Sequence, residues 1–304
     1  MKKRMLSALL ALCMMLTMMP AAFAVGTDDS SSSESVSTTL PEAKDGVYTL
    51  DEDVSINTIG LGAGETVYDL NGHTLTYTGG TVQPQQGQTL TFRDSSVSGT
   101  ERRGTLKLTG VTGTNSALNP QTGATVNASN IKVECSGSAF FPQGDAAAVN
   151  ITSCDVTADV YCVGTNAATT DNYGVEINLT DSTFTSNATS GNGDDCAVMI
   201  NVDGTLNIDN CTISGHRQGA LVRAGEANIT NSSIKTLGTY SNADAYYNSA
   251  WQSGNEVPAA ALTVGNYVAD DATTYKADAV VKLTNTKLTA ENSFPALYVD
   301  AVMK

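Results

Sequence analysis

The chain has 304 residues, with 31 Asp and Glu against 16 Lys and Arg, a formal net charge of −15. Nucleic-acid phosphates are met by clustered Lys and Arg, so this balance argues strongly against a nucleic-acid partner. It weighs less against acidic polysaccharides, which bound cations can bridge, and the plain reading of the acidity is solubility outside a cell.

Residues 1–24 begin with Lys2, Lys3 and Arg4, run apolar from Met5 to Met19 and close on Ala22-Phe23-Ala24. A charged head, a short apolar centre and an A-x-A site predict a secretory signal peptide, too short for a membrane span. Cys13 lies in that run, but Leu12 stands where a lipid-anchored leader needs a small residue. Cleavage removes three positive charges, leaving 13 Lys and Arg against 31 acidic residues, a net charge of −18. Residues 25–44 read as a Ser/Thr-rich linker and 45–304 as one repetitive domain. No later apolar stretch approaches 20 residues, so no transmembrane segment is expected after cleavage. The expected location is secreted, with cell-surface association open.

Within 45–304 one phrase recurs: an alternation of apolar and polar residues, an Asx or small residue, then a second apolar start. Counted from its first apolar residue, it begins at Tyr68, Leu90, Val126, Val149, Ile177, Leu206, Ala227 and Val281. The spacings are 22, 36, 23, 28, 29, 21 and 54 residues, which suggests one lap of about 22 residues plus insertions. The longest gap reads as a double step. The alternation predicts a strand with one buried face. The fifth position is Gly72, Asp94, Asn130, Ser153, Asp181, Asn210, Asn231 and Asn285. Residue types that tolerate left-handed backbone bend the chain there, and stacked Asx side chains can hydrogen-bond as a ladder. A second short strand follows from the eighth position.

A third strand precedes most copies. The column Leu118, Phe140, Tyr161, Val198, Leu221, Leu262, Leu297 is expected to point inward. Its neighbours Asn119, Phe141, Cys162, Met199, Val222, Thr263 and Tyr298 are expected to point out. Five cysteines follow the leader, at 135, 154, 162, 196 and 211, without CxxC or Cys/His spacing. They predict small buried residues, at most one or two disulfides between layers, and neither a zinc site nor another metal site or cofactor.

Strand, Asx bend, strand and a third side predict an all-β, single-stranded parallel β-helix. About nine coils stacked at about 4.8 Å would stand about 40 Å tall. Over roughly residues 45–304 the coil length, the Asx corner and the phrase DLNGHTLT (69–76) resemble the right-handed parallel β-helix of the pectin-lyase-like superfamily. That resemblance implies right-handedness, and a fold that serves lyases, hydrolases and non-catalytic adhesins alike. The phrase ALYVDAVMK (296–304) begins a further turn with an open strand edge, to be covered by more chain or by a partner.

Two candidate sites follow. GNGDDCAVMI (191–200) resembles polygalacturonase-type glycosidases, and the resemblance implies Asp194 and Asp195 as a carboxylate pair acting with Asp171, with His216 one coil later. Departures are plain: Arg217 follows His216 in place of Gly, no Arg-x-Lys follows, and aligning Ala197 with Ala220 sets Gln218 under Asp195. An acidic loop leading into a strand accounts for the same residues. Paired arginines for a lyase are found only at Arg102-Arg103. The second candidate is the insertion 238–258, with Tyr240, Tyr246, Tyr247 and Trp251, the sole Trp. Aromatic faces with polar tips suit sugar rings, and the same rings could instead cover outward apolar residues. The favoured reading is a non-catalytic, adhesin-like module binding polysaccharide or surface glycan, with a glycoside hydrolase and a structural stalk as rivals.

Overall fold

The computed structural model describes residues 36–96, 104–166, 174–189, 195–239, 259–265 and 278–300, all within the compact unit Val36–Lys304. Among the described residues every element is a strand and every strand-to-strand ladder is parallel. The first sheet has nine strands in chain order: β1 (Val47–Thr49), β3 (Glu65–Asp69), β5 (Thr89–Arg93), β8 (Thr125–Ser129), β11 (Ala148–Thr152), β13 (Val175–Thr180), β16 (Gly204–Asp209), β19 (Gly225–Thr230) and β22 (Ala279–Thr284). The second sheet interleaves with it: β2 (Val54–Ile56), β4 (Thr74–Tyr77), β6 (Thr105–Leu108), β9 (Lys132–Cys135), β12 (Asp155–Ala158), β14 (Thr183–Ser186), β17 (Thr212–Gly215), β20 (Ser233–Thr236) and β23 (Lys287–Ala290). A third side pairs β7 (Ser116–Leu118) with β10 (Ser138–Phe140), and β15 (Cys196–Ile200), β18 (Gln218–Val222), β21 (Leu262–Gly265) and β24 (Leu297–Asp300) in turn. Isolated bridges through Val163 join the two groups. All-parallel sheets that advance one layer at a time are consistent with a parallel β-helix.

The strands form where the sequence alternates. In β8 and β11 the inward residues Val126, Ala128, Val149 and Ile151 are buried while their neighbours stay partly open. Each fully buried Val, Leu or Ile contributes about 2 kcal/mol of transfer free energy. Near the N-terminal end the column is aromatic: Tyr48, Tyr68 and Phe92 stack at 5.0 and 5.5 Å. The Tyr68 hydroxyl donates to the Gly60 carbonyl and accepts from its N–H, and burial pushes its pKa up to about 12.

Asn130, Ser153, Asp181, Asn210, Asn231 and Asn285 all adopt positive φ, as the bend requires. Bonds between stacked corners appear in part: Asn210 donates to Asp181 at 2.7 Å and Asn285 to Asn231 at 2.9 Å, whereas Asn231 reaches Asp209 at 2.9 Å. A longer ladder runs along the outer face of the first sheet, unforeseen. Asn228, Asn207, Asn178 and Asn150 each donate to the preceding Asn at 2.8–3.2 Å, and Asn127 donates to Thr91. Its signal was the Asn at the second position of five successive copies.

Four sequence expectations are corrected. Thr66, not Tyr68, is opposite Leu90. The corner Leu70–His73 holds two extra residues, Asn71 and Gly72, both at positive φ, so alignment on the second strand displaced the first. In the next copy Asp94 is not left-handed, and the second strand is β6 rather than a segment beginning at Val97, which lies outside the described residues. Asp94 instead accepts from the N–H groups of Gly72, Ser96 and Gly104, fastening both ends of an inserted segment. The 54-residue gap is one step, because β19 pairs directly with β22 and β20 with β23. On the third side Val163 and Ala220, not Tyr161 and Leu221, stand in the inward column.

All five described cysteines are buried, with no disulfide among them. Burial raises the Cys135 and Cys211 thiols to about 11 and pushes Cys162 higher still.

Candidate functional site

Third-side register slips have a local cause. The Ala197 carbonyl accepts from both Cys162 and Val163 N–H groups, at 2.9 and 3.1 Å. The Ala261 carbonyl likewise accepts from Gly219 and Ala220, at 3.1 and 2.9 Å. Two consecutive donors on one acceptor mark an extra residue in the strand, which reverses the faces beyond it. Cys162 and Val222 therefore join the main core, while Tyr161 and Leu221 leave it.

The displaced residues build a second apolar cluster. Val160, Tyr161, Cys196, Met199 and Leu221 are buried together, with Phe141 and Tyr298 packed against them. Phe141 and Tyr161 lie 6.2 Å apart, tilted. Both ends of β18 carry a buried arginine: Arg217, 1% exposed, precedes it and Arg223, 0% exposed, follows it. Cys196 pairs with Gln218, so the continuing register sets Arg217 beside the buried Asp195. At the other end the Arg223 N–H donates to the Ile200 carbonyl, placing Arg223 alongside Asn201. Asn201 is itself fixed: its N–H donates to the Thr165 hydroxyl at 2.9 Å, and that hydroxyl donates to its side-chain oxygen at 2.8 Å. Between the arginines, the Gln218 amide is buried with no hydrogen-bond partner. A guanidinium removed from water must be met by planar acceptors, and a buried carboxylate is the best of these.

Four stretches adjoin this side by connectivity: 190–194 leads into β15, 240–258 into β21, and 167–173 and 266–277 lead from it to the first sheet. Asp171, Asp194, Tyr240, Tyr246, Tyr247 and Trp251 lie in these stretches, outside the described residues. Asp195 and His216 are described; Gln218 stands opposite Cys196 rather than Asp195, and continuing that register one residue back would set Arg217 beside Asp195. The half-buried His216 ring is held by the Thr239 hydroxyl at 2.6 Å. His73 sits at a corner, 3.7 Å from Asp53.

A recess of about 360 Å³ lies over β6, β9 and β12 and is lined by polar groups including Lys107, Glu134, Asp159 and Asn187. Lys107 and Glu134 are 3.6 Å apart. Among the described residues no three His, Cys, Asp or Glu side chains gather as a metal site, and no helix is long and apolar enough to cross a membrane.

Arg217 and Arg223 were missed by sequence reasoning. Their signal was two cations six residues apart in HRQGALVRAG, flanking an apolar strand in an acidic chain. No family model matches the chain, and no match is found among curated proteins or solved structures.

Proposed function

We propose that this chain is an exported right-handed parallel β-helix of about nine coils, allied to the pectin-lyase-like superfamily, that binds polysaccharide or surface glycan without turning it over. The observation that carries the reading is topological. By connectivity four inserted stretches, including the one rich in Tyr and Trp, lead into or out of the third side, while a fifth, 97–103, joins the first sheet to the second. Loops held by a rigid scaffold are where such proteins place recognition. Export rests on the leader-like residues 1–24, and the strong negative charge disfavours nucleic acid.

The hydrolase rival is weakened by the surroundings of Asp195. A catalytic carboxyl must reach a glycosidic oxygen or an attacking water. Asp195 is buried, and so is Arg217, which the continued register would set beside it, as for a structural carboxylate.

The test is retention of the exported protein on a panel of plant and host glycans. Binding that disappears in Trp251→Ala, with no reducing sugar released, supports the proposal. Release of reducing sugar that Asp195→Asn abolishes would replace it with the hydrolase, and silence in both assays with a stalk.

A further inference from the structure

The outer face of the second sheet carries two parallel rows of polar side chains. Lys107, Glu134 and Thr157 are register partners in one row, across β6, β9 and β12. Two residues further along the chain, Thr109, Ser136, Asp159 and Asn187 make the other. The Ser136, Asp159 and Asn187 N–H groups donate to the Leu108, Cys135 and Ala158 carbonyls of the preceding layer at 2.8–3.1 Å, so the ladder runs one residue beyond each strand. Leu108, Cys135 and Ala158, between the rows, belong to the core, and strand alternation turns the flanking residues outward. The recess of about 360 Å³ lies over both rows. Ligand clefts run from about 300 to 1,000 Å³, so this one suits a mono- or disaccharide.

The lining accepts more hydrogen bonds than it can give. The Ser136 hydroxyl donates to the Val111 carbonyl at 2.9 Å and the Thr109 hydroxyl to the Tyr77 carbonyl at 3.4 Å. A hydroxyl has one hydrogen to donate, so both present only lone pairs to the recess. Lys107, the one cation in the lining, lies 3.6 Å from Glu134. Asp159 stands two layers on and in the other row, and among the described residues no cation or donor meets its side chain. The Thr157 hydroxyl and the Asn187 amide are likewise unengaged there. One carboxylate beyond what the lysine neutralises, set among hydroxyl and amide oxygens, complements a ligand rich in O–H groups that carries positive charge. We propose that this recess binds an amino sugar, with its ammonium on Asp159 and its hydroxyls on Ser136, Thr157 and Asn187. A neutral sugar would leave Asp159 without a counter-charge, and an acidic one would meet two carboxylates. Solvent screens an ion pair in so open a site, and binding is expected at roughly millimolar Kd. The recess lies on a different sheet from the insertions of the third side and holds independently of what those insertions bind.

Amide NMR titration of the exported chain is the test. A glucosamine disaccharide should give saturable shifts at Asp159 and Asn187. Its N-acetylated form, which keeps the ring hydroxyls but lacks the charge, should bind about fivefold more weakly. Asp159→Asn should bring the two disaccharides to equal affinity, and because Asp159 is exposed the amide fits its place without disturbing the fold. Glu176→Gln, on the first sheet, and Trp251→Ala, in the 238–258 insertion, should each leave the preference for the amine unchanged. The first variant separates the recess from the general attraction of a cation to an acidic chain, the second from glycan binding at the third side. The proposal is overturned if no saturable shift appears at the recess, or if the N-acetylated or a glucuronate-bearing disaccharide binds there as tightly as the amine. A preference that survives Asp159→Asn, or that Glu176→Gln weakens equally, would overturn it as well.

Discussion

From β8 to β23 the corner between the first and second sheets always takes two residues. The residue that turns it, from Asn130 to Asn285, holds φ between 48° and 59°. The third side of the same layers has strands of three to five residues, shared acceptors at Ala197 and Ala261, and long insertions on its flanks. Regular corners arise from a local rule, since one small or Asx residue in the left-handed region closes the turn whatever the neighbouring layer does. On the third side the strand must accommodate insertions, so extra residues slip in and side chains change face. What is lost in regularity there appears as a second apolar cluster and two buried arginines.

The harshest way to break this comparison is to charge the shared core. Leu206 is fully buried in the first sheet beside Ile177 and Ala227. Leu206→Asp should cost more than about 4 kcal/mol, enough to abolish export or leave a chain without a cooperative thermal transition. Next in size is Arg223→Ala on the third side. Removing a buried guanidinium strands the groups that face it, and a loss of about 3 kcal/mol in urea unfolding is expected. A loss below about 0.5 kcal/mol would mean that the buried arginines are incidental and the third side is merely irregular.

Corners and alternation were legible in the sequence because both are local. Asn130, Ser153, Asp181, Asn210, Asn231 and Asn285 can be picked out from residue type and spacing alone. Register was legible only where no residue was inserted. Asn71-Gly72 displaced the first copy by two, and the extra residues near Tyr161 and Leu221 exchanged inside for outside. A period-2 pattern cannot signal a single extra residue, because either face of a doubly covered strand is apolar. Burial of Arg217 and Arg223 was illegible for another reason, as it depends on what packs over a face rather than on the strand that bears them. Of the candidate site, only Asp195 and His216 fall among the described residues, and no hydrogen bond joins them among those the structure shows for His216, whose ring is held by Thr239.

Smaller substitutions sharpen the contrast within the regular half. Asn210 at φ 52° combines a strained backbone with a bond to Asp181 at 2.7 Å. Asn210→Ala should lose about 2 kcal/mol, from left-handed strain and the missing bond together. Asn210→Gly, which keeps the backbone at ease, should lose only about 1 kcal/mol. Equal losses would show that the hydrogen bond alone matters at the corner. Asn178, in the straight part of the strand, donates to Asn150 and accepts from Asn207, so Asn178→Ala should cost about 1 kcal/mol. Introducing glycine there should be worse than alanine, the reverse of the order at Asn210.

The mildest probe is pH. Asp209 accepts from Thr230 at 2.6 Å and from Asn231 at 2.9 Å, and these bonds hold its carboxyl below the usual aspartate range. A group whose folded pKa is depressed contributes stability above its unfolded value of about 3.9, and that contribution fades as pH falls through the folded value. Between neutral pH and 5 the Asp209 contribution should be flat. Below about 4 wild type should lose urea midpoint faster than Asp209→Asn, whose neutral amide has no proton to gain. Because the carboxylate is fully exposed, solvent screens its interactions and the difference should be slight. Parallel acid profiles for the two proteins would mean that the Asp209 bonds do not outlast competition from water, leaving backbone geometry as the whole basis of the regular corner.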